Sequence, residues 1–280
     1  MSRIAVITDS AACIPPDLVK AYGIRVVPFG LVWGQQTYRD GVDIKAAEFY
    51  QRLRTAERLP TTSQPTIADF VTVYRAAATE AEGAVSLHVP QSMSGAVVAA
   101  RHAAGLLPQF PVRVIDCGTA VMAQGFIAIA AAQAAAAGAS LDEVAKAAKA
   151  MIPRVNLYAT LETLQYLARS GRVPAALALL GAALQVQPVF TIKNGTVDLI
   201  ARVRTRTRAI EHIVECVAAH VDGGALHAAV FHADVPHDAE ALAQELRQHF
   251  ACRELLTTEF TPVMGTHTGP GTLGVAFYSE

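Results

Sequence analysis

The chain has 280 residues, 52% of them hydrophobic, so it holds one large or two ordinary domains with a substantial core. Its 23 Lys and Arg against 24 Asp and Glu leave a formal net charge of -1, which excludes the basic surplus that a nucleic-acid or acidic-membrane footprint normally requires. Four cysteines, Cys13, Cys117, Cys216 and Cys252, form no C-x-x-C pair; this usage points to a reducing compartment and away from structural zinc or a disulfide framework.

Met1-Ser2-Arg3 passes straight into an apolar strand, Arg3 to Thr8, with no charged leader and cleavage site, so no export signal is expected. The strand ends in Asp9-Ser10. Pro15-Pro16-Asp17 opens a short helix closed by Gly23, Ile24 to Phe29 is a second strand, and Ala46 to Arg58 has amphipathic helical spacing. Pro60-Thr61-Thr62-Ser63-Gln64-Pro65 is a polar stretch fenced by prolines and reads as a ligand loop. Ile67 to Ala81 is helical, Ala84 to Val89 a strand, and Gln91 to Gly95 joins it to a helix over Ala96 to Leu107. Val112 to Ile115 repeats the strand pattern before the turn Asp116-Cys117-Gly118-Thr119. The alanine-rich segment that follows carries no charge between Asp116 and Asp142; its small side chains suit a helix packed tightly on a sheet better than a membrane span. Ser140 with Glu143 forms a capping box for the next helix, which Pro153 ends. Alternating strands and helices predict a parallel sheet covered on both faces.

After Pro153 the rhythm changes. Val155 to Ala159 is extended, Glu162 to Arg169 helical, and Gly171 a C-cap. Leu184 to Ile192 and Val197 to Val203 form a hairpin about Asn194-Gly195. A helix over Ala209 to Val221, a strand over Ala225 to Phe231, a helix over Asp238 to Phe250 and a strand over Glu254 to Phe260 lead into the glycine-rich turn Gly265 to Gly274 and a last strand. That turn reads as a ligand loop with no part in core packing, His267 at its apex. Gly269, Gly271 and Gly274 match G-x-G-x-x-G, but too little chain follows for a dinucleotide-binding βαβ unit.

The candidate groups are donors: Thr61, Thr62, Ser63, Ser94, Arg202, Arg204 and His267, with no carboxylate pair among them. Ser94, before Gly95 at a helix start, either caps that helix or offers its hydroxyl to an anion. Arg202, Arg204, Arg206 and Arg208 alternate, so in an extended segment they share one face, which solvent or a bound anion would meet. His232, Asp234, His237 and Asp238 match no defensible metal-ligand spacing, and no metal is expected. Asp9 and Asp116 at strand ends suit loop-tying and capping roles.

These motifs in order, Thr8-Asp9-Ser10, Thr62-Ser63-Gln64-Pro65, Ser92-Met93-Ser94-Gly95, Val114-Ile115-Asp116, Leu161 through Gly171-Arg172-Val173, Val203-Arg204-Thr205 and His267-Thr268-Gly269-Pro270-Gly271, closely resemble the DegV family of bacterial fatty-acid-binding proteins. The resemblance implies an α/β protein of two domains. Residues 1–153 would form a three-layer α/β/α domain with a mainly parallel sheet, and 154–280 a two-layer α/β domain with a mixed sheet, a ligand tunnel lying between them. It implies a long-chain fatty acid as ligand, no cofactor, and a carboxylate held by Thr62, Ser94, Arg204 and His267, with Ser63, Gly95, Thr268, Gly269 and Arg202 supporting. It further implies a non-enzymatic carrier in the cytoplasm that presents the acid to a separate ATP-dependent fatty acid kinase feeding phospholipid synthesis, with transient membrane contact and no nucleic-acid partner. The chain departs from the family pattern at Ala96, Cys117 and Gln187-Pro188. The rival reading from the residues is an acyl ester or thioester hydrolase, with Ser94 as nucleophile, His267 as base and Asp9 or Asp116 orienting it.

Overall fold

The computed structural model describes residues 4–173 and 186–280; Arg3 at the first predicted strand and Leu184–Gln185 at the start of the hairpin lie outside them. The first sheet is parallel, in the order β2 (Arg25–Val27), β1 (Ile4–Asp9), β6 (Gly83–His88), β7 (Val112–Asp116). Every residue of β6 is buried, as a central strand covered on both faces must be. Helices α3 (Ile67–Ala78) and α4 (Ala96–Gly105) pack together against it, as do α5 (Val121–Ala136) and α6 (Leu141–Met151). The alanine-rich α5 buries twelve of its sixteen residues. Among the described residues no helix is long and apolar enough to cross a membrane.

The second sheet is mixed, in the order β10 (Thr196–Val203), β9 (Gln187–Lys193), β8 (Asn156–Thr160), β13 (Leu273–Ser279), β11 (Leu226–His232), β12 (Cys252–Glu259), with only β11 and β12 parallel. Helices α8 (Arg206–Ala218) and α9 (Pro236–His249) cover it, whereas α5 also reaches β13. One apolar core runs from the first sheet through Phe126 and Ile127 to Phe231, Phe260 and Ala276 of the second region.

Local codes act where expected. Thr66 with Asp69 and Ser140 with Glu143 form capping boxes, Gly171 closes α7 (Gln165–Ser170) at φ 68°, and Asn194-Gly195 turns the β9–β10 hairpin with both φ positive.

Four expectations are corrected. A third, antiparallel sheet of β3 (Gly30–Trp33), β4 (Gln36–Arg39) and β5 (Thr61–Ser63) forms from a stretch given no strand and from the Pro60–Pro65 loop; β5 is too short and polar to show a strand period, and its pairing with β3 alone makes it a strand. The arginine stripe does not share one extended face. β10 ends at Val203 and the Thr205 hydroxyl accepts the Arg208 N–H at 3.2 Å, so Arg206 and Arg208 lie on a helix. His267 sits in the last turn of α10 (Pro262–Thr268) rather than in a loop. The glycines after it do serve packing: a Cβ at Gly269 would enter the Tyr166 ring, one at Gly271 the Glu162 side chain, and one at Gly274 the Phe231 ring.

Candidate functional site

Three separately built elements converge. On β5 the twofold alternation of side chains turns Thr62 one way and Ser63 the other, Ser63 lying against Gly30 of β3. α10 begins at Pro262, whose neighbour Val263 donates its N–H to Asp40 Oδ1 at 3.1 Å, and presents His267 one turn later. Its C-cap Gly269 has φ 75°. At the third element Ser94 Oγ accepts the Ala96 N–H at 3.2 Å. Ser94 thus stands one residue before the Gly95 N-cap and holds the first N–H of α4 as an acceptor, which leaves its hydroxyl hydrogen for an anion, so the two readings of this serine are compatible.

Thr62, Ser94, Gly95, His267 and Thr268 line one cavity of about 270 Å³, together with Gln64 and Arg172. Thr62 Oγ1 and His267 Nε2 share a hydrogen bond of 2.9 Å. Burial, and secondarily the Arg172 guanidinium, push the His267 pKa down to about 4, so the imidazole is neutral at neutral pH. Burial also lowers the Arg172 pKa, but a guanidinium stays charged. No Asp or Glu is among the described residues lining the cavity. The lining thus offers one fixed positive charge, an imidazole, the Gln64 carboxamide and the hydroxyls of Thr62, Ser94, Ser170 and Thr268, a set of donors that suits an anion.

Away from these donors the walls turn apolar. Leu167, Ile192, Val197, Met264 and Thr268 also line a second space of about 70 Å³ that continues the first. Leu157, Phe190, Phe231 and Phe260 line this inner space, and Phe231 and Phe260 stack with centroids 5.0 Å apart.

Of the remaining sequence candidates, Ser63, Gly269, Arg202 and Arg204 are not among the described residues lining the cavity; both arginines are exposed, as is Arg172, which does line it. Arg172 is the cation that sequence reasoning left without a role, although it stands directly after the Gly171 C-cap. Gln64 was also unassigned; its carboxamide lies where a Cβ on Gly95 would fall, which explains a glycine there. The hydrolase relay is not assembled. Among the described residues no hydrogen bond joins Ser94 to His267, Asp9 bonds His88 Nδ1 at 3.0 Å, and Asp116 accepts from the Gln91 and Gly118 N–H groups at 2.9 Å. Asp234 and Asp238, of the weak metal cluster, pair with Arg54 and Arg206, and no group of three metal-ligating side chains occurs among the described residues. At the family departures, Ala96 and Cys117 are fully buried.

A mixed α/β fold with a largely apolar pocket bordered by several polar donors is the architecture of a small-molecule-binding protein. The chain belongs to the DegV family: the family profile, described as "Uncharacterised protein, DegV family", matches residues 3–280. A DegV domain-containing protein of Streptomyces coelicolor is 40% identical, with all of both chains covered. Protein DegV of Bacillus subtilis is 32% identical, covering 98% of this chain and 99% of the relative. Among solved structures, a DegV family protein from Thermus thermophilus described for its fatty acid binding superposes with TM-score 0.92 at 35% identity, covering 99% of this chain and all of that one. DegV from Bacillus subtilis, described as a fatty acid binding protein, gives TM-score 0.92 at 30% identity over the whole of both chains.

Proposed function

We propose that this protein binds a long-chain fatty acid in the cavity lined by Thr62, Ser94, Arg172 and His267 and presents the carboxylate to a separate ATP-dependent fatty acid kinase, which forms the acyl phosphate. In this reading the chain divides into domains at 153/154, and the acid enters the cleft between them. The observation that carries it is the contrast between two adjoining cavities that share Leu167, Ile192, Val197, Met264 and Thr268: Thr62, Ser94, Arg172 and His267 line one, and Phe190, Phe231 and Phe260 the other. Burying an acyl chain contributes roughly 0.8 kcal/mol per CH₂, on the order of 10 kcal/mol for a long chain before association costs. A carboxylate taken out of water needs several donors, and here Thr62, Ser94 and Arg172 supply them. His267 with Nε2 protonated would donate to Thr62 Oγ1 and leave the threonine hydrogen for the ligand. Arg172 and His267 would then also stand beside the charge that grows on the carboxylate as phosphate is transferred. The protein is a carrier without catalysis of its own, working in the bacterial cytoplasm with transient membrane contact.

The test is mass spectrometry of natively purified protein, followed by analysis of its organic extract. One fatty acid per chain is the expected result. A protein that is empty and fails to take up added fatty acids would refute the reading. Acyl-phosphate formation on adding the kinase and ATP, absent when either component is omitted, tests the second half.

A further inference from the structure

The tip of the β9–β10 hairpin is a cavity wall that stands outside the sheet. Among the described residues β8 pairs with β9 only at Val189, Phe190 and Thr191. Residues 192–197 therefore overhang, paired with one another across the Asn194-Gly195 turn, and β10 is an edge strand. A β-bulge between Leu199 and Ala201 lies close to the root of the overhang; such a bulge bends a strand and interrupts its ladder. Ile192 and Val197, a cross-strand pair of the overhang, line both adjoining cavities, while Lys193, Asn194 and Thr196 are exposed.

Among the described residues three hydrogen bonds fasten this tip to the first sheet. Ser92 Oγ donates to the Gly195 carbonyl at 2.5 Å, the Gly195 N–H donates to the Gly118 carbonyl at 2.8 Å, and Thr119 Oγ1 donates to the Ile192 carbonyl at 3.3 Å. Every partner lies in one of two loops, after β6 or after β7. Asp116 ties these loops together, Oδ2 accepting the Gln91 N–H and Oδ1 the Gly118 N–H, each at 2.9 Å. The receiving side is thus fixed, and the overhang is the part free to swing. Other walls are built in: β5 pairs with β3, and α10 packs Gly265 against Phe49 and Tyr50. Local opening breaks first where a few hydrogen bonds near water, each of small net strength, are all that hold a segment.

We propose that the hairpin tip is a flap through which the acyl chain enters and leaves the cavity, with Ser92, Gly118 and Thr119 as its catch and the bulge as its hinge. The inference rests on the fatty-acid reading above.

The test is a reversible lock. A Cβ on Gly195 would lie 3.9 Å from Ser92 Cβ, inside the roughly 3.5–4.5 Å that a disulfide spans. The Ser92→Cys, Gly195→Cys chain, its bridge confirmed by peptide mapping, is loaded with a fluorescent fatty acid. Displacement by excess unlabelled acid is then followed by stopped flow, oxidised and reduced. The oxidised form is expected to exchange at least about tenfold more slowly than the reduced form, with the wild-type rate the same under both conditions. Ser92 is not among the described residues lining the cavity, so Ser92→Ala is expected to speed uptake and release alike, by about fivefold, and to leave Kd unchanged. A pocket that was merely damaged would show a raised Kd instead. Ser92→Ala serves alone if the double variant fails to fold. Equal exchange by the oxidised and reduced forms, or wild-type rates or a raised Kd in Ser92→Ala, would overturn the flap while fatty acid binding stands. A wild-type chain that takes up no fatty acid would overturn the fatty-acid reading and the flap with it.

Discussion

His267 is the residue whose behaviour reports most directly on the site. Its imidazole is held neutral by burial and by Arg172, with a pKa of about 4. A carboxylate placed beside it favours the imidazolium, so fatty acid binding is expected to raise this pKa and take up a proton between the free and bound values. Imidazole NMR titration with and without ligand checks this, and an unchanged titration would remove the carboxylate from His267. Thr62→Val, Ser94→Ala and Arg172→Ala should each weaken fatty acid binding by roughly tenfold or more, since hydrogen bonds to a charged group contribute about 1.5–3 kcal/mol. Arg204→Ala should leave affinity within about twofold, because Arg204 is exposed and outside the cavity lining. Displacement of a fluorescent fatty acid measures all four.

At the scale of elements, α10 lines the cavity through Val263, Met264, His267 and Thr268. Its C-cap Gly269 combines φ 75° with a Tyr166 ring lying where a Cβ would go. Gly269→Ala should therefore cost about 2 kcal/mol or more in denaturant unfolding, from backbone strain and a clash together. Its first turn is tied to Asp40, whose raised pKa has a definite sign. The folded chain binds this proton more tightly than the unfolded chain, so the contribution favours the fold at low pH and is lost as pH rises from about 3.8 to about 6. His267 acts oppositely: its depressed pKa gives a contribution present above 6.5 and lost as pH falls toward about 4. The Asp40→Asn and His267→Ala variants should each remove one of these slopes from a stability-against-pH curve, and a curve unchanged in both would contradict the assigned burial.

For the whole molecule, the proposed ligand lies inside a core shared by the two sheets, so binding and folding are linked. A ligand that binds only the folded chain stabilises it by about 2.7 kcal/mol at a hundredfold excess over Kd. In the proposed reading the length of acid accepted is a property of the assembly, because the Phe231–Phe260 stack lines the inner space. Phe260→Leu should shift preference toward longer acids in competition experiments, at a stability cost of roughly 1–2 kcal/mol. An unchanged chain-length profile would show that the acyl end lies elsewhere.

What could be read from the amino-acid sequence was what neighbours along the chain decide. The Ser140–Glu143 box, the Gly171 cap and the Asn194-Gly195 turn involve residues within a few positions of one another, and the strand–helix rhythm follows from side-chain periodicity. Thr62, Ser94 and His267 were legible as donors from their settings, and as one set from the family resemblance. What the tertiary structure alone decided was which groups meet. Thr62 and His267 are 205 positions apart and touch only because β5 pairs with β3 and α10 is anchored on Asp40. Arg172 and Arg204 are the same residue type on equally polar stretches, and no local rule separates them. Packing does: both arginines are exposed, and of the two only Arg172, just past the end of α7, lines the cavity.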